Sequence, residues 1–216
     1  MKVLKKGVLT HGYCHKGGDR VIRFWMLMIF MMVGCSCRGE PPEDENHTLF
    51  TEIYSEADIG VHPDGYCGHE VGADVCNLVL KNQNDVIWAM HEQQGDVILL
   101  DFSVMWCGPC QSAAMTVERI QKKYEAAGFQ YVTVLIEDER GDTPDRDDVE
   151  LWAEVFGIKS APVLQGSRDI IDSDLSLGWP LTSWPTMVVI DRNMVIYNGI
   201  HGFSEEWIIN NIEDLL

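Results

Sequence analysis

Cys107 and Cys110 stand three positions apart, separated by Gly108 and Pro109. Two cysteines at that spacing serve either thiol-disulfide exchange or half of a metal site. A tetrahedral zinc needs a second ligand pair, and no second pair with ligand spacing stands in the chain. In the redox alternative Cys107 is the nucleophile and Cys110 the resolving thiol, provided that the first sulfur sits over the amides of a helix N-terminus. Pro109 suits an early helical position, where its missing N–H costs nothing.

The flanking sequence supplies those elements. Residues 96 to 104 form an apolar run suited to a strand buried on both faces. After Cys107, residues Ala113, Val117, Ile120, Tyr124 and Ala127 recur at alternating spacings of four and three, which predicts one face of a helix ending before Gly128. Residues 130 to 136 predict a second central strand. Strand, helix and strand together make a βαβ unit with a parallel sheet.

The segment Asp101-Phe102-Ser103-Val104-Met105-Trp106-Cys107-Gly108-Pro109-Cys110 closely resembles the active-site segment of the thioredoxin superfamily. Trp184-Pro185-Thr186 resembles the cis-proline segment that the family places opposite its cysteines, and the resemblance covers about residues 67 to 216. It implies an α/β thioredoxin fold, with a central mixed β-sheet flanked by helices. Between the motif and Pro185 lie 74 residues, and residues 152 to 157 and 160 to 164 among them resemble the inserted helix-strand unit of the TlpA and peroxiredoxin relatives. With the N-terminal segment the chain resembles the membrane-tethered TlpA-type branch. The resemblance assigns Cys107 and Cys110 to catalysis and Asp101 to a buried carboxylate that relays a proton for Cys110, its acidity weakened by desolvation. It assigns Trp106, Gly108, Pro109, Trp184, Pro185 and Thr186 to substrate contact, with Pro185 in cis and the backbone of Trp184 pairing with an extended substrate. It requires no cofactor. The two-residue gap in Cys-Gly-Pro-Cys speaks against an Sco-like copper carrier, and Trp106 before Cys107 speaks against a peroxiredoxin-like peroxidase.

Other elements are predicted around this core. Residues 77 to 80 read as a short strand, and a helix is expected around residues 149 to 156. The acidic residues 137 to 150 lack the alternating carboxylates and central Gly of a calcium loop, so a solvated loop and helix start is expected. Residues 186 to 191 and 194 to 197 flank Arg192-Asn193 as a β-hairpin. Ser204 caps a last helix whose first turn holds Glu205 and Glu206.

Ahead of the domain, residues 24 to 33 are uncharged and mostly large and apolar, directly after Arg20 and Arg23. A bilayer-spanning helix needs about 20 residues, so the run has the form of a signal-peptide core. Met32-Val33-Gly34-Cys35 resembles the lipobox of bacterial lipoproteins, which implies cleavage after Gly34 and a lipid on Cys35. The expected organisation is a signal peptide over residues 1 to 34, an acidic flexible linker over 35 to 60 and the domain over 61 to 216. Such a chain is exported and lipid-anchored, with its domain in the periplasm or cell envelope. Export makes Cys67 and Cys76 a structural disulfide; a metal cluster with His62 and His69 is the other arrangement these residues allow.

The chain carries a net charge of -18, and residues 35 to 216 alone would carry -23, which disfavours nucleic acid as a partner. Expected partners are disulfide-bearing protein substrates, a membrane electron donor if the protein reduces them, and the membrane itself through the lipid. The rival from another class is a lipid-anchored binding module in which Cys107 and Cys110 form a permanent brace.

Overall fold

The structure, a computed structural model, describes residues 67 to 175 and 177 to 216. The expected signal peptide, lipidated Cys35, the linker and His62 lie outside the described residues.

Five strands form the main sheet in the order β5-β4-β3-β6-β7, where β3 is Val97–Val104, β4 Phe129–Glu137, β5 Val163–Gln165, β6 Thr186–Ile190 and β7 Ile196–His201. The two pairings among β3, β4 and β5 are parallel, and those among β3, β6 and β7 antiparallel, so the sheet is mixed. All eight residues of β3 are buried, as a central strand covered on both faces requires. Helix α1, Gly108–Tyr124, follows it and buries Ala113, Val117, Ile120 and Tyr124 on one face. The chain turns back at Gly128, which adopts the left-handed conformation (φ 80°) open to glycine.

Between β4 and β5 runs the expected inserted helix, α2, over Arg146–Phe156. It begins earlier than its apolar pattern suggests, because Asp145 and Asp148 form a reciprocal capping box. The insertion is tied to α1 by Glu118, whose Oε2 accepts from the amides of Lys159 and Ser160 at 2.8 and 2.9 Å. Helix α3, Glu205–Leu215, starts at Ser204, whose hydroxyl accepts from the amide of Trp207.

A small hairpin of β1, Val79–Lys81, and β2, Ile87–Ala89, reaches the β5 edge, where the Gln83 amide donates to the Val163 carbonyl at 3.0 Å. The later hairpin differs from its sequence pattern. Its turn runs from Asp191 to Val195 because the Asp191 carboxylate accepts from the amides of Asn193 and Val195. Strand β7 then extends to His201 rather than ending at Tyr197.

Residues 67 to 76 pack against this turn. The amides of Gly72 and Val75 donate to the Ile196 and Met194 carbonyls, and a Cys67–Cys76 disulfide, with Cα atoms 4.9 Å apart, closes the loop. The disulfide takes both cysteines out of the alternative metal cluster, and His69 meets the Leu175 carbonyl through Nδ1 at 2.7 Å. His69 also stacks edge-on against Trp179, which packs on Phe102 of β3.

Candidate active site

Cys107 lies where β3 ends and α1 begins. It is the N-cap of the helix, in an extended conformation, and its Sγ accepts from the Cys110 amide at 3.3 Å. That contact supplies the helix-terminal donor that favours a thiolate. The two cysteines are joined as a disulfide with Cα atoms 5.2 Å apart. Cys107 is 7% exposed and Cys110 fully buried, so an incoming sulfur meets Cys107 first. Gln111 steadies the preceding loop, its Nε2 donating to the Met105 carbonyl at 2.8 Å.

Asp101 is buried within β3, six residues before Cys107. Burial pushes its carboxyl from 3.8 up to about 6, against the opposing pull of two hydrogen bonds. Ser103 donates through Oγ to Oδ1 at 2.7 Å, and Tyr131 donates through its phenol to Oδ2 at 3.1 Å. Tyr131 is itself held protonated, first by burial and then by the Asp101 charge. Asp101 therefore changes protonation state near the pH where thiols begin to ionise, which suits it to proton exchange.

The Trp184–Pro185 peptide bond is cis. Phe102 pairs with Thr186, so the start of the antiparallel β6 lies at the end of the sheet from which Cys107 emerges. The register thus brings Pro185 and the cysteine pair to the same sheet end. The Pro185 carbonyl accepts from the Gly202 amide at 2.7 Å, while the Thr186 hydroxyl donates to the Ser183 carbonyl and meets His201 Nδ1 at 3.1 Å. Trp184 packs partly buried against the core. His91 is a packing residue, its Nε2 set against the Val75 carbonyl at 2.9 Å.

Trp106 is half exposed, and its indole N–H donates to Glu137 Oε2 at 2.8 Å. The other oxygen of Glu137 pairs with Arg168, and the Glu137 carbonyl accepts from the Met105 amide. Sequence reasoning placed Glu137 only at the edge of an acidic run. Its position at the end of a buried strand, level with the motif, was the signal that set it apart from the solvated carboxylates after it.

Residues 78–167 match the Thioredoxin family model. The thiol-disulfide oxidoreductase ResA of Halalkalibacterium halodurans is 18% identical over 198 residues, spanning 92% of this chain and 97% of its own. A putative thiol:disulfide interchange protein DsbE from Chlorobium tepidum has a TM-score of 0.54 and 24% identity over 68% of this chain and 97% of that one. The exposed lipoprotein thioredoxin of Streptococcus pneumoniae also gives 0.54, at 20% identity, over 64% of this chain and 99% of its own. The fold and the matched segment agree: residues 78–167 carry a thioredoxin-type domain, and over most of its length the chain is similar to thiol-disulfide oxidoreductases.

Proposed function

We propose that this protein reduces protein disulfides outside the cytoplasm, through Cys107 and Cys110, while tethered to a membrane by a lipid on Cys35. The observation that carries the reading is the arrangement of the pair: Cys107 reachable at the N-cap of α1, and Cys110 buried behind it.

In the forward direction the Cys107 thiolate attacks a substrate disulfide, forming a Cys107–substrate bond and expelling one substrate thiolate. Cys110 then gives its proton to the Asp101 carboxylate and attacks Cys107 Sγ. The second substrate thiolate leaves, and the Cys107–Cys110 disulfide closes. Two electrons have passed to the substrate, and a membrane donor must return them. Trp106, Gly108, Pro109, Trp184, Pro185 and Thr186 form the docking edge, where an extended substrate adds alongside the cis-proline segment.

Location rests on three supports. The apolar run after Arg20 and Arg23 has the form of an export signal over residues 1 to 34, and the acidic residues 35 to 60 suit a tether. The Cys67–Cys76 disulfide suits an oxidising compartment. The pneumococcal relative is described as an exposed lipoprotein.

The test is Cys110→Ser in the exported chain. Mixed disulfides between Cys107 and envelope proteins should accumulate on non-reducing gels, and the purified wild type should reduce insulin. If Cys107 captures nothing and the wild type leaves insulin intact, the reading fails. Cys35→Ala should release the protein from the membrane; unchanged membrane association would remove the lipid tether.

A further inference from the structure

A cavity of about 270 Å³ lies beside the redox motif, between the start of α1 and helix α2. Met105 and Gln111, which bracket the cysteine pair in sequence, form one wall; Leu151, Trp152, Val155 and Phe156 form the other. Leu151 is 48% and Val155 66% exposed, so this wall of α2 turns apolar surface to solvent instead of the core. The volume falls below the range of pockets for whole small molecules and suits one apolar side chain.

Two further observations point to a bound polypeptide. Trp152 is 2% exposed, yet its buried indole N–H finds no acceptor among the described residues. A buried donor without an acceptor is costly, and a peptide carbonyl entering the groove would satisfy it. The one charged side chain lining the cavity is acidic, that of Glu139. Glu139 has no cationic partner among the described residues. The strongly negative chain makes a second copy of itself a poor occupant and a basic partner a good one.

We propose that this groove is a substrate subsite: it takes an apolar side chain next to the target disulfide of a polypeptide whose flanking residues are basic. The inference rests on the redox reading above and names the substrate class for it.

Short peptides closed by one disulfide test it, with Leu or Asn beside the disulfide and either Lys or Glu flanking. With the full chain and dithiothreitol as electron source, the Leu peptide with Lys flanks should show kcat/KM about tenfold above the Asn peptide, and Glu flanks should lower it. The Leu151→Ser/Val155→Ser double variant should bring the Leu and Asn peptides within about twofold of each other, with its fold checked by circular dichroism. Equal wild-type rates for the Leu and Asn peptides overturn the subsite, including the case in which residues 1 to 66 fill the groove. So does a preference that survives in the folded double variant. Failure of the wild type to reduce any of the peptides would instead strike the redox reading.

Discussion

Asp101 is the residue whose placement costs the fold most directly. Its carboxyl keeps its proton up to about pH 6 in the native state and releases it near 3.8 when unfolded. The native state therefore binds more protons across that window, and stability falls as pH rises through it. Above the window the difference, at about 1.4 kcal/mol per pH unit, amounts to about 3 kcal/mol. Asp101→Asn should raise stability by about that much at pH 7 and little at pH 4, measured by urea unfolding. The same variant should slow substrate release by Cys110 on the order of 10² and abolish an acidic limb near pH 6 in that step. Ser103→Ala, which takes one donor from the carboxylate, should move that limb upward by about one pH unit. Burial of Asp101 was legible from Leu99, Leu100 and Phe102 around it. Ser103 was legible in principle, since residues two apart share a strand face, but Tyr131 was not. Its approach depends on the parallel register that sets Leu99 against Tyr131, and register between distant strands leaves no mark in a single sequence.

At the scale of elements, the strands and helices with strong periodicity emerged where their patterns put them: β3, α1, β4 and α3. Elements governed by polar contacts did not. The start of α2 is set by Asp145 and Asp148, hidden among look-alike carboxylates, and the hairpin turn is set by Asp191 accepting two amides. The connection from Gly166 to Pro185 carries too little periodicity to read, although it sends Trp179 into the core against Phe102. Gly166 itself was an unremarked position, yet a Cβ there would lie 2.8 Å from the Leu135 carbonyl, so the connection can leave β5 this closely only with glycine. Asp145→Ala removes the cap of α2 and should lower the melting temperature by an amount matching about 1 kcal/mol. A melting temperature equal to that of the wild type would show that the capping box does not hold the helix.

Across the whole molecule, the Cys67–Cys76 loop fastens the N-terminal end of the described domain to the far hairpin and, through His69 and Trp179, to the central strand. Closing a loop of nine-residue separation stabilises the fold by about 2.5 kcal/mol through the entropy of the unfolded chain. The Cys67→Ser/Cys76→Ser variant should unfold at correspondingly lower denaturant, with the exchange chemistry of Cys107 retained. The brace has another consequence. If the chain opens disulfides in other proteins, as proposed, it also holds one of its own, and every neighbouring copy presents that same bond as a potential target. Like charge makes such copies poor collision partners, and the effect weakens as salt shortens the range of repulsion. Under the proposed reducing role, the acidity that says little about the fold would act as a kinetic safeguard, keeping a crowded population from exchanging disulfides with itself.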